Sequence, residues 1–154
     1  MALLKINNNF YLLINIVYNS NMNNYTDILR QHNLKATPQR LAITDALYRY
    51  GHVNIESLYQ MMIKKFNSIS QATIYKNINL MLENCFIQEV KIPHAKSVYE
   101  LTKETHSHIV CDKCGKINDI TIDLNNIIKD TSQINNFKIN KTDVVFSGIC
   151  KDCQ

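Results

Sequence analysis

The segment SQATIYKNINLMLENC, residues 70–85, runs into FIQEVKI at 86–92 and, past PHAK at 93–96, into SVYELT at 97–102. At about 100° per residue, Ile74, Ile78, Met81, Leu82 and Cys85 share one helical face and are expected in a core. Opposite them lie Ala72, Thr73, Lys76 and Asn79, with Tyr75 at the boundary. Small residues permit close approach and a lysine meets phosphate, so this face suits entry into a DNA major groove. Any amphipathic helix has a polar face, so a solvated surface is the competing reading. After Cys85 the period changes from that of a helix to that of strands, and the two strand-like runs around residues 93–96 form an expected β-hairpin wing.

Upstream the pattern is helical. Asn23–Asn33 reads as a short first helix. Thr37-Pro38 supplies an N-cap and a proline at the first helical position, and Gly51 is a natural stop after Leu41, Ile43, Ala46, Leu47 and Tyr50. Asn54 caps a further helix with Ile55, Leu58, Tyr59, Met62 and Phe66 on one side. Helices followed by a hairpin make a winged helix. Downstream, strands at His108–Cys111 and Lys116–Ile122 flank a cysteine knuckle. Leu124–Ser132 reads as a helix, and Phe137–Ile149 as one or two strands. The expected fold is therefore α+β. A winged helix-turn-helix domain covers 23–95, and a small α/β domain with a four-cysteine zinc site covers 96–154.

Composition narrows the class. The chain has 154 residues, of which 45% are hydrophobic, enough for a core without disulfides. Residues 23–92 hold eight Lys/Arg against five Asp/Glu, whereas 93–154 hold eight of each, so the excess charge lies in the first half. A phosphate-contacting surface fits there, as does a merely solvated one. Residues 1–22 form a leader whose apolar run, Phe10–Tyr18, is shorter than the roughly 20 residues a bilayer span needs. No A-x-A cleavage site follows it. Met22 opens a conventional polar-then-helical start, so the leader reads as a gene-start artefact. A cytoplasmic setting follows as the expectation, and there paired cysteines favour metal over disulfides.

Cys111-Asp112-Lys113-Cys114 and Cys150-Lys151-Asp152-Cys153 are two C-x-x-C pairs separated by 35 residues. Two residues between thiolates let both reach one ion, and four thiolates close a tetrahedral Zn²⁺ site, which implies a structural role. A redox-active C-x-x-C is the competing reading. Cys85 reads as core. Ahead of the first pair stands His106-Ser107-His108; in a strand, residues two apart face one side, so both imidazoles can reach one ion. Glu100 and Asp119 add carboxylates within reach. Such a mixed set suits Fe²⁺ or Mn²⁺, with Zn²⁺ a further candidate. Surface histidines and solvated acids are the plainer alternative. His52, His32 and His94 read as loop, helix and wing-tip residues.

Together these residues resemble the ferric uptake regulator superfamily of bacterial metal-dependent repressors, which includes the peroxide-regulator branch. The matching segments are Leu34–Arg40 (LKATPQR), His52 with Leu58-Tyr59, Ser70–Asn77 and Tyr99-Glu100-Leu101. His106-Ser107-His108, Cys111–Lys116 with Asp119, and the Cys150/Cys153 pair continue them. The resemblance covers residues 23–153 in order and spacing. It implies a homodimer on a double-stranded DNA operator, without a membrane partner or small-molecule substrate, in which the C-terminal domain dimerises. It implies a structural zinc on Cys111, Cys114, Cys150 and Cys153, and a regulatory ion on His52, Glu100, His106, His108 and Asp119. It further implies that Lys35 reaches a minor groove and that Tyr75 touches bases, with Arg40 and Lys76 near the backbone. Thr73 shares the recognition face.

The branch stays open at this point. In the peroxide branch, bound Fe²⁺ reacts with peroxide and a ligand histidine is oxidised, here His52 or His106. That branch typically has aspartate where Glu100 stands, and the iron-uptake branch typically glutamate; the lean histidine content points the other way. Two rival classes remain: a zinc-stapled protein-interaction module, and a C-x-x-C redox enzyme or zinc deaminase. The deaminase needs an H-x-E arrangement that H-S-H does not supply. The expectation is therefore a regulator and not an enzyme.

Overall fold

A computed structural model describes residues 22–154. The leader, apart from Met22 at its end, lies outside the described residues. The chain divides into two compact units, the first ending at Lys103 and the second running from Glu104 to Gln154.

Among the described residues of the first unit come four helices: α1 (Met22–Gln31), α2 (Pro38–Tyr50), α3 (Ile55–Lys65) and α4 (Gln71–Glu83). Three of them start on side-chain caps. Thr37 Oγ1 accepts from the Arg40 amide, Asn54 Oδ1 from the Ser57 amide at 2.8 Å, and Ser70 Oγ from the Thr73 amide at 3.2 Å. Each satisfies one of the amides that a helix N-terminus leaves unpaired. Gly51 ends α2 at φ 70° and sends its N–H back to Leu47 O, a backbone conformation that costs glycine nothing. Leu29, Ile43, Leu47, Leu58, Met62, Ile74, Ile78 and Met81 form the buried core between these helices.

The end of α4 corrects one sequence expectation. Ile74, Ile78 and Met81 are buried and Leu82 is partly so, but Cys85 is exposed. The helix stops at the cap Asn84, and Cys85 turns left-handed at φ 52°. The Phe86 amide then bonds back to Met81 O and the Cys85 amide to Leu82 O, both at 2.9 Å. That is a Schellman-type stop, with the apolar residue after the left-handed position folding back onto the helix. Phe86 thus takes the core place that a continued helix assigns to Cys85.

The wing follows as β1 (Ile87–Val90) and β2 (Val98–Leu101), antiparallel with Gln88 opposite Glu100 and Glu89 opposite Tyr99. The chain after α2 adds a short third edge. Val53 N–H donates to Tyr99 O at 3.0 Å, and Tyr99 N–H donates to Val53 O at 2.9 Å. This two-bond bridge sets His52 beside Glu100.

The second unit holds β3 (Ser107–Cys111), β4 (Ile117–Ile120), α5 (Asn125–Asn135), β5 (Val145–Gly148) and a closing 3₁₀ turn, Lys151–Cys153. Its sheet order is β4-β3-β5, with β3 antiparallel to β4 and parallel to β5. The crossover between the parallel strands carries α5, as parallel pairing requires. Of the span 137–149, only β5 is a strand. Among the described residues no helix is long and apolar enough to cross a membrane.

Two substitutions probe these ends of the scale. Ile78→Ala, at a fully buried position, should lower unfolding free energy by about 2–5 kcal/mol in urea titrations. Cys85→Gly should raise it by roughly 1 kcal/mol, by relieving a side chain from the left-handed region. A destabilised Cys85→Gly protein would contradict the helix stop described above.

Candidate metal centres

The four thiols of the second unit converge. Cys111 ends β3, Cys114 follows in the knuckle, and Cys150 and Cys153 bracket the terminal turn. Gly115, at φ 72°, lets the knuckle reverse so that its N–H returns to Cys111 O at 2.8 Å. All four sulfurs lie within 4.8 Å of one another, and Cys114 Sγ is 3.8 Å from Cys150 Sγ. A tetrahedron of Zn–S bonds of about 2.3 Å has edges of about 3.8 Å, so the donor set and its spacing fit Zn²⁺. All the cysteines are free thiols.

The surroundings favour one thiolate first. The Cys150 amide donates to Cys111 Sγ at 3.3 Å. That backbone donor, helped by the Cys114 amide, brings the Cys111 thiol down to about 6. Cys153 is pushed up to about 12, mainly by the neighbouring Cys150 sulfur and then by Cys114. Charge is thus concentrated on one sulfur until a cation arrives to share it. Lys113 Nζ donates to Cys153 O at 2.8 Å and ties the knuckle to the terminal turn.

A second donor set in the same unit is of a different kind. His108 lies on β3 opposite Asp119 on β4, and both are placed by strand register. His106 precedes β3, yet its Nε2 comes within 3.0 Å of His108 Nε2. Both nitrogens are 3.6 Å from Asp119 Oδ1. His106 Nδ1 lies 2.7 Å from Glu104 O. A carbonyl can only accept, so Nδ1 carries the proton and the lone pair of a neutral ring sits on Nε2, facing His108. Fixing the tautomer through the far nitrogen is how metal-ligating histidines are usually oriented. Two imidazole nitrogens bound at right angles to one ion at about 2.1 Å are about 3.0 Å apart, which is the spacing here. Two histidines and one carboxylate suit Fe²⁺, Mn²⁺ or Zn²⁺.

The first unit contributes a pair. His52 Nε2 lies 3.4 Å from Glu100 Oε2, and Glu100 is buried at 1% exposure. Gln88 Nε2 donates to Glu100 Oε1 at 2.8 Å, and Lys103 Nζ lies 2.8 Å from Oε2. Sequence reasoning missed both partners. Gln88 was accessible from the hairpin register, since it stands opposite Glu100. Lys103 follows the strand end and carried no signal.

The positions expected to meet DNA also belong to the first unit. Tyr75 is exposed, as are Lys76 and Lys35, while Thr73 and Arg40 are half-buried. Ser70 and Thr73 hydroxyls pair at 2.9 Å at the start of α4. Arg40 Nη1 donates to Lys35 O at 2.8 Å, so its guanidinium braces the loop that presents Lys35.

A winged helix joined to a small sheet with a four-thiol centre defines a class of metal-dependent regulator. The Ferric uptake regulator family model matches residues 31–147, and the chain belongs to that family. The peroxide-responsive repressor PerR of Staphylococcus aureus is 32% identical over 128 residues, covering 82% of this chain and 86% of the relative. The crystal structure of the Campylobacter jejuni peroxide stress regulator superposes with a TM-score of 0.65 at 36% identity, covering 82% of this chain and 97% of that one. The Vibrio cholerae ferric uptake regulator gives 0.67 at 26% identity, covering 82% and 99%. Regulators of this family are metal-sensing, DNA-binding repressors.

Zinc ligation needs all four sulfurs as thiolates, so binding must displace the protons of Cys150 and Cys153, whose thiols are held up. Zinc affinity should therefore rise with pH across the neutral range. It should fall most steeply below about 6, where Cys111 also protonates. Competition with a chromophoric chelator between about pH 5 and 8 measures this; a pH-independent affinity would count against a four-thiolate site.

Proposed function

We propose that this protein is a homodimeric, metal-dependent transcriptional repressor that binds duplex operator DNA through α4 and the wing. In this reading Zn²⁺ on Cys111, Cys114, Cys150 and Cys153 is structural. A regulatory Fe²⁺ or Mn²⁺, with Zn²⁺ as a further candidate, is held by His52, Glu100, His106, His108 and Asp119. The observation that carries it is the pair of incomplete donor sets. His106, His108 and Asp119 offer three donors and His52 with Glu100 two, fewer each than the roughly four to six a divalent ion of this kind takes.

The bound ion supplies positive charge that donors from both units share. His52 and Glu100 are anchored to the winged helix by the Val53–Tyr99 bridge, and within the second unit the His106 ring is held by its bond to Glu104 O. An ion held by both sets restricts the units to arrangements in which all donors meet. It can shift that equilibrium only by its preference for the closed form.

On α4, Tyr75 and Thr73 face bases, Lys35 from the loop before α2 reaches a minor groove, and Lys76 and Arg40 meet the backbone. The second unit leaves Ile127, Ile134, Phe137 and Phe146 exposed, between 45% and 81%. Apolar exposure on that scale fits a surface covered by a second copy. Free thiols and the metal-ligand chemistry suit the cytoplasm.

His52→Ala should lose metal-dependent DNA binding while keeping its unfolding transition nearly unchanged. A variant that still responds fully to metal would remove His52 from the regulatory set. Binding to duplex DNA should weaken steeply with salt, because phosphate contacts release counterions; a salt-insensitive interaction would favour a zinc-stapled module that binds protein.

The signal is separated by one assay: DNA binding of the zinc-loaded protein with Mn²⁺, or with Fe²⁺ without air, before and after micromolar peroxide. Release only in the iron form, with an added oxygen on His52 or His106 by mass spectrometry, marks a peroxide sensor. Binding that follows metal concentration and ignores peroxide marks a metal-uptake regulator.

A further inference from the structure

Glu100 has two oxygens with different company. Oε1 accepts from the Gln88 amide at 2.8 Å across the hairpin. Oε2 is the oxygen 3.4 Å from His52 Nε2, and the same Oε2 lies 2.8 Å from Lys103 Nζ. The carboxylate is 1% exposed and the lysine side chain 29%. A buried carboxylate is costly without a counter-charge, and the Lys103 ammonium paired with it at 2.8 Å supplies one.

An ion bridging His52 and Glu100 uses Oε2, because that is the oxygen facing His52 Nε2 at 3.4 Å. It then meets the ammonium at the same oxygen. Like charges at such separations in a protected site repel strongly. Lysine can give way where most cations could not: its flexible four-carbon stem is rooted just after β2 and the side chain is 29% exposed, so the ammonium can swing to water.

We propose that Lys103 is a built-in counter-ion for Glu100 that competes with the regulatory metal, so that its ammonium sets the metal concentration at which the protein responds. This rests on the reading above that Glu100 and His52 belong to the regulatory set. The lysine keeps the buried carboxylate satisfied at low metal and raises the threshold for binding. It leaves the oxygen when the ion arrives, and the coupling is reciprocal: metal weakens the lysine contact as much as the lysine weakens metal.

The test uses the full-length, zinc-loaded protein and Mn²⁺, with affinity read by competition against a fluorescent chelator. Lys103→Met should bind Mn²⁺ about tenfold tighter, within the usual range of coupling between two sites. Lys103→Arg, which keeps the charge, should stay near wild type, and Glu100→Gln should bind more weakly. Unchanged or weaker Mn²⁺ binding in Lys103→Met, alongside weak binding in Glu100→Gln, overturns the competition while leaving Glu100 a ligand. Unchanged binding in Glu100→Gln instead removes Glu100 from the regulatory set, and both readings fall.

A second measurement needs no variant. Mn²⁺ should increase labelling of Lys103 by an amine-reactive reagent severalfold, read by peptide mass spectrometry. Labelling that Mn²⁺ leaves unchanged or suppresses would overturn the displacement.

Discussion

The four thiols are the constraint on which the second unit depends. Among the described side chains of its 51 residues, Glu104–Gln154, only Val110 and Cys111 are buried apolar ones. A unit of that size cannot hold itself together by burial alone, and a metal or disulfide staple is the usual remedy. The cysteines attach the chain's last turn to the end of β3, and β3 is the central strand of the sheet. With that end fixed, the register of β3 against β4 follows, and the register is what sets His108 opposite Asp119. The thiol cluster therefore positions the neighbouring donor set through the backbone, without sharing a residue with it.

The first unit is built the other way. Its helices bury a continuous apolar core, and its polar site is attached to that core by backbone hydrogen bonds. The Val53–Tyr99 bridge ties the end of the α2–α3 connection to the wing, and His52 and Glu100 come together as its neighbours in sequence. A carboxylate in β2 shares its inward face with Val98. Tolerating it there draws on Gln88, which donates to Oε1, and on Lys103, whose ammonium is the counter-charge beside Oε2. Oε2 is also the oxygen that faces His52.

Much of this was legible in the residues. Caps at Thr37, Asn54 and Ser70, the glycine stop at Gly51 and the change of period after Cys85 are local signals, and local hydrogen bonding obeys them. The two C-x-x-C pairs were legible for the same reason, since their spacing is itself the coordination geometry. Cys85 was misread because a helical wheel assumes the helix continues. Whether it does depends on where the chain reverses, and a non-glycine residue in the left-handed region gives no warning of that. The span 137–149 yielded one strand, because β5 forms only where β3 offers it an edge.

The sequence by itself determined which residues could be ligands, which helix carries a polar face opposite its apolar one, and that the thiols come in two pairs at short spacing. These are properties of residue type and short spacing, and they survive without a partner. Tertiary structure decided the rest. It chose which nitrogen of His106 carries the proton, by placing a carbonyl at Nδ1. It put Lys103 on the oxygen of Glu100 that faces His52, and brought His52 to Glu100 across 48 residues of chain. The last of these depends on two distant segments meeting, which no pattern within one segment encodes, and the first two, though close in sequence, depend on the path the backbone takes.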